Sequence, residues 1–166
     1  NAGPLTAGQI QDVKPYALPL GAREVAFAPI FSPVTYAGTG YGSWWNDIVA
    51  YPNQLVARKF TPQLSALGIM HLPLPDGARL TQVRLRGFLG IGVLSWRFAR
   101  APHTGGASTL IATDFLSTAG AFDRVLTIPA AEPPVDNAAS SYTLYVYASG
   151  TPGVIDIYGG SVRFVP

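Results

Sequence analysis

The chain contains no cysteine and only two histidines. Without cysteine there is no disulfide framework and no thiolate metal site, so any fold has to be held by its core. Charge is scarce as well: Asp, Glu, Lys and Arg make up 12% of the 166 residues, about half the usual share of ~25%. Eleven basic residues against nine acidic ones leave a formal charge of +2, and they are spread along the chain. No basic patch is therefore expected for nucleic acid or an anionic membrane. No apolar run approaches the ~20 residues of a membrane helix, because Pro, Gly or a charge interrupts each one. Neither nucleic-acid binding nor membrane insertion is expected.

What the chain does have is apolar surface and punctuation, with 48% hydrophobic residues, 18 Gly and 15 Pro. Its length suits one domain with a core of its own. High apolarity with little charge leaves few polar groups to cover a monomer, which points to a homo-oligomer or polymer; a large core in an ordinary monomer is the alternative. Residues 1–20 read as an extended N-terminal arm, broken by Gly3, Pro4, Gly8, Pro15 and Pro19. Leu5, Ile10 and Val13 are its scattered apolar positions, the candidate assembly arm. Residues 21–166 read as one domain. The sequence begins at Asn1 without an initiator Met, as in a protein whose signal peptide has been removed, so an extracellular or cell-surface location is expected.

Within 21–166 the dominant period is two. After the turn signal Pro75-Asp76-Gly77, residues Arg79 to Phe88 place Thr81, Val83 and Leu85 on one face and Gln82, Arg84 and Arg86 on the other. Leu94, Trp96 and Phe98 alternate with Ser95, Arg97 and Ala99. Further strands are predicted over 108–116, 122–128, 142–149 and 155–164. Glu24 to Tyr36 is strand-like, with Pro29 and Pro33 restricting it to an edge or an extended excursion. From Tyr51 to Met70 the pattern fits a short helix or a strand. The expected fold is all-β: an antiparallel β-sandwich, jelly-roll-like, with the extended N-terminal arm.

Leu74-Pro75-Asp76-Gly77-Ala78 before an alternating strand, Val135-Asp136-Asn137 before Tyr142-Thr143-Leu144-Tyr145-Val146, and Ile157-Tyr158-Gly159 before Val162-Arg163-Phe164 form a recognisable succession. It resembles a sandwich module recurrent in bacterial exported and cell-surface proteins, over about residues 72–164. The resemblance implies fold and export. It carries no catalytic site to transfer.

Chemistry is thinly represented. Nucleophilic catalysis needs a nucleophile, a base and an orienting group, and no Gly-x-Ser-x-Gly elbow occurs. His71 reads as a satisfied strand histidine and His103 as a solvated turn residue. Asp47, Asp114, Asp123, Glu132, Asp136 and Asp156 are available for paired-carboxylate hydrolysis. Asp123 and Asp136 read instead as turn residues capping their own backbone. No Asp-x-Asp-x-Asp-Gly series marks a calcium loop, to which Asp136 and Asn137 are candidate contributors, and zinc is worse placed with two distant histidines and no cysteine. Gly38-x-Gly40-x-Gly42 lacks the Lys-Ser or Lys-Thr of a phosphate loop. No catalytic residue, cofactor or metal site is assigned.

Two surfaces remain. Tyr36, Tyr41, Trp44, Trp45 and Tyr51 suit either sugar stacking or a subunit interface. Arg84, Arg86 and Arg97 are expected on one outer face, with Tyr145 and Tyr147 outward on another strand. The expected function is a non-enzymatic exported structural subunit that self-assembles into a filament, sheath or surface layer, by donation of the N-terminal arm to a neighbour. The alternatives are a carbohydrate-binding or adhesive module using the 36–51 aromatics, and a viral jelly-roll capsid or decoration protein.

Overall fold

The computed structural model describes residues 21–33, 46–50, 54–59, 65–149 and 153–166, and of 32–33, 46–50 and 54–55 the backbone alone. The described residues form strands and turns, with no helix among them. In chain order the strands are β1 (Arg23–Phe27), β2 (Ser32–Pro33), β3 (Asn46–Ala50), β4 (Gln54–Lys59), β5 (Ser65–His71), β6 (Arg79–Leu89), β7 (Val93–Pro102), β8 (Thr109–Leu116), β9 (Gly120–Thr127), β10 (Ser140–Ser149) and β11 (Ile155–Val165).

They make an antiparallel β-sandwich. The first sheet runs β3-β4-β11-β6-β9, with β1 also paired to β11, and the second runs β2-β5-β10-β7-β8. From β4 onward the pairs nest: β4 with β11, β5 with β10, β6 with β9, β7 with β8. This is one long hairpin rolled around the core so that successive pairs fall in alternate sheets, the double Greek key of a jelly roll. The segment read as one strand-like excursion is two short strands, β1 on the first sheet and β2 on the second. Two strands, β4 and β5, occupy the stretch whose period was ambiguous between helix and strand.

Period-two burial fills the middle. Leu94, Trp96 and Phe98 of β7 and Leu144 and Val146 of β10 face Val83, Leu85 and Leu89 of β6 and Ile155 and Ile157 of β11, all at most 1% exposed. The first sheet thins this wall at two points. At Gly87 a Cβ would lie 2.6 Å from the ring of Phe122 and 2.0 Å from the Asp156 carbonyl; at Gly160 it would lie 2.5 Å from Phe27 and 2.1 Å from the Arg84 carbonyl. Two phenylalanines from the neighbouring strands β9 and β1 pack over those bare positions.

Within β6 one expected face assignment changes. The β6–β11 register shifts between Arg163 and Phe164, leaving Thr81 in the irregularity with its hydroxyl donating to the Arg163 carbonyl at 3.0 Å. A bulge resets the alternation, so Leu80, 7% exposed, joins Val83 and Leu85 in the core in place of Thr81.

The turns of the resemblance meet in space. Gly77 N–H donates to the Val135 carbonyl at 2.8 Å and Val135 N–H to the Ala78 carbonyl at 2.9 Å. Asn137 donates from its backbone to Asp76 Oδ1 and from its side chain to the Leu74 carbonyl, each at 2.8 Å. Asp136 Oδ1 accepts from Ala138 and Ala139 N–H at 3.0 Å, and Asp136 N–H donates to Tyr142 Oη at 3.1 Å. Gly77 holds φ 75° in this turn, which only glycine adopts freely. These residues clamp the start of β6 to the start of β10, and their side chains are occupied by structural bonds.

Candidate functional site

Each carboxylate considered for catalysis, where its side chain is described, has a structural partner. Arg58 grips Asp156 through two hydrogen bonds of 2.6 and 2.7 Å. Arg84 grips Asp123 in the same bidentate way, and Arg124 holds Asp114 at 2.8 and 3.2 Å. Arg100 lies 3.2 Å from Glu132, and Asp136 caps its turn. Asp47 lies outside the described side chains. Asp123 is therefore not a turn residue: it points outward from β9 because it is opposite Arg86 and beside Arg84 on β6. The hydrogen bond from Arg84 holds the Asp123 carboxyl below the usual range, and that from Arg124 does the same for Asp114. Lowered carboxyls stay ionised at neutral pH, the reverse of what a general acid needs.

The two histidines reach one concavity of about 330 Å³, bordered also by Asn137, Ser140 and Ser141. His71 is exposed at the end of β5, not satisfied within the sheet, while His103 is an exposed turn residue whose Nδ1 lies 3.1 Å from the Ala138 carbonyl. His71 lies opposite Thr143, and Pro102, just before His103, lies opposite Ser140 on the other side of β10. Two strand spacings and about four residues separate their Cα atoms by roughly 16 Å. That is too far for one metal ion, and no group of three metal-ligating side chains occurs among the described residues.

Lys59 escaped the sequence analysis. It is buried at the end of β4, opposite Ile155, and donates to the Gly153 carbonyl at 3.0 Å. Desolvation pushes its ammonium pKa down. Nothing in a period-two pattern marks a lysine for burial.

The outer faces of the two sheets differ. On the first, Glu24 of β1, Ser161 and Arg163 of β11, and Gln82 and Arg84 of β6 border a shallow concavity of about 440 Å³ with Val125. Ser161 donates its hydroxyl to Glu24, and Arg163 lies 3.3 Å from the same carboxylate. That hydroxyl bond and Arg163 hold Glu24 below the ordinary range. The charges there are paired with one another, Arg84 with Asp123 and Arg163 with Glu24.

On the second sheet the cross-strand register builds three rows. Leu67, Tyr147, Ser95 and Phe115 lie side by side across β5, β10, β7 and β8; next come Ile69, Tyr145, Arg97 and Thr113; then His71, Thr143, Ala99 and Leu110. Phe115 is 59% exposed, Leu110 52% and Tyr147 42%. Arg97 is the one Lys, Arg, Asp or Glu in these rows. The expectation that Arg84, Arg86 and Arg97 share a face is overturned: Arg84 and Arg86 face outward from the first sheet and Arg97 from the second. β6 and β7 follow each other in sequence but belong to different sheets, so their outer faces point in opposite directions. Tyr145 and Tyr147 do face outward, alongside Arg97.

Sequence reasoning missed Leu67, Ile69, Leu110 and Phe115 because a lone apolar residue in a strand reads as core. Their common face follows only from the register. The candidate assembly residues Leu5, Ile10 and Val13 and the aromatics Tyr36, Tyr41, Trp44, Trp45 and Tyr51 lie outside the described residues. No helix among the described residues is long and apolar enough to cross a membrane. No family model and no curated protein matches the chain.

Proposed function

We propose that the protein is a non-enzymatic structural subunit that assembles with copies of itself, in an exported or cell-surface setting. The observation that carries this reading is the outer face of β5-β10-β7-β8, where seven of twelve register positions are apolar or aromatic, Phe115, Leu110 and Tyr147 are exposed, and Arg97 is the single full charge. A largely apolar face on a chain with so little charge elsewhere is a surface suited to being covered. Paired carboxylates and distant histidines leave hydrolysis little support. The test is light scattering and negative-stain electron microscopy of the full chain across a concentration series. Growth of mass with concentration, ending in regular particles or fibres, is the expected result; a monomer at every concentration would refute it.

The double Greek key favours a second reading, a viral capsid or decoration protein, since capsid subunits are one of the roles this architecture serves. Closed shells in the same micrographs would select it over fibres or layers.

A further inference from the structure

Resting on the self-assembly reading, we propose that two copies pack through the outer faces of β5-β10-β7-β8, about a two-fold axis running along the strands between β10 and β7. The register itself supports this choice of partner. Such an axis places β10 of one copy over β7 of the other, and β5 over β8, row for row. Tyr147 then stands over the small Ser95 of the second copy, and Ser95 receives that copy's Tyr147. Arg97 stands over the ring of the second copy's Tyr145, a cation on an aromatic face, twice by symmetry. Exposed Phe115 meets Leu67. Large lies on small at Tyr147 and Ser95, cation on ring at Arg97 and Tyr145, and apolar on apolar at Phe115 and Leu67, while Ile69 meets Thr113 and His71 meets Leu110; no carboxylate in the rows is stranded. Axes through β10 or β7 instead stack Tyr145 and Tyr147 on themselves, or Arg97 on Arg97.

Four strands ~4.8 Å apart and seven residues at ~3.3 Å give a face of roughly 20 by 23 Å, so the two copies bury at most about 900 Å², Thr143 and Ala99 being already buried. That lies below the ~1,200–2,000 Å² of a standard specific interface, so a weak, concentration-dependent dimer is expected. The two Arg97 side chains stand one strand spacing apart, and added salt, by screening them, strengthens the association.

The experiment is sedimentation equilibrium of the full-length wild type, Ser95→Tyr, Tyr147→Ser and the double variant, with urea midpoints as the folding control. Wild type is expected to show a dimer as the first step of its association. Ser95→Tyr sets tyrosine on tyrosine and Tyr147→Ser opens a gap, so each weakens association at least tenfold. The double variant exchanges large for small across the same axis and recovers to within about threefold of wild type. Assembly of wild type that neither single variant alters would overturn this interface while leaving self-assembly standing. Weakened single variants without recovery in the double would overturn the axis. A wild type that is monomeric throughout, including one that instead retains glycans, would overturn both.

Discussion

Both sheets of the sandwich are antiparallel, alternate with period two and contribute to the same core, yet they solve opposite problems. The first sheet is thinned on its inside by Gly87 and Gly160, and is laced on its outside by Arg84 with Asp123, Arg58 with Asp156 and Arg163 with Glu24. The second has its bulk, Trp96 and Phe98, on the inside and an unlaced apolar outside. Charge is scarce in this chain, and where the side chains are described it is concentrated on one sheet and at the open edge, where inward-facing Asp114 of β8 meets Arg124 of β9. A charged pair turned inward at two edge strands discourages strand addition there. Exposed apolar residues lie on both outer faces, Phe88 and Val125 on the first and Tyr147, Phe115 and Leu110 on the second, but on the second they stand without surrounding ion pairs.

The largest effect that would break this asymmetry is a side chain at the thinned positions. Gly160→Ala and Gly87→Ala each drive a methyl group into the backbone of the adjacent strand, and each is expected to cost about 3 kcal/mol of stability, read from urea unfolding. Unchanged midpoints would show that the sheet yields freely. Arg58→Ala comes next. Asp156 is only 7% exposed at its side chain, so removing its guanidinium partner leaves a buried carboxylate without its ion pair, at a cost of about 2–3 kcal/mol. A loss below 0.5 kcal/mol would mean that water replaces Arg58.

Acid sharpens the contrast further. Glu24, Asp114 and Asp123 are held below their ordinary values in the folded protein, so each contributes stability that is fully present above the unfolded pKa, near 4. That contribution is lost as pH falls from there through the folded values. Urea midpoints should drop below about pH 4, less steeply in Arg84→Ala. An identical acid limb in that variant would argue that Arg84 does not govern Asp123. At neutral pH the exposed Arg84–Asp123 pair is worth little, and Asp123→Asn should change stability by at most about 0.5 kcal/mol. The smallest effect belongs to the second sheet: Tyr147→Ser should leave the urea midpoint nearly unmoved while it changes association.

The alternation of β6, β7, β10 and β11 was legible because a half-buried strand repeats every two residues, whatever its partners. The Asp76-Gly77 and Asp136-Asn137 turns were legible because Asp136 bonds to backbone two and three residues on and Gly77 demands a special φ, whereas the bonds that Asp76 and Asn137 make between the two turns were not. The bulge at Thr81 was not, since it depends on how β6 meets β11, some eighty residues later. Asp123 misled for the same reason: its partner Arg84 is 39 residues away, and a local pattern favours the local cap.

The candidate surface divides in the same way. Tyr145, Tyr147 and Arg97 could be assigned outward from their own strands, whereas Leu67, Leu110 and Phe115 had no face assigned until the register set them beside those residues. Arg84 and Arg97 look alike in alternation and end on opposite sides of the molecule, because consecutive strands of a jelly roll fall in different sheets.

The sequence by itself determined the all-β class, the strand positions in its second half and the turns that join them, since these rest on period, steric preference and short-range hydrogen bonds. Only the tertiary structure decided which strands are neighbours, which arginine meets which carboxylate, and which apolar residues are left outside. Those outcomes depend on pairing between segments far apart in the chain, and burial at a given residue follows from what the opposing strand brings.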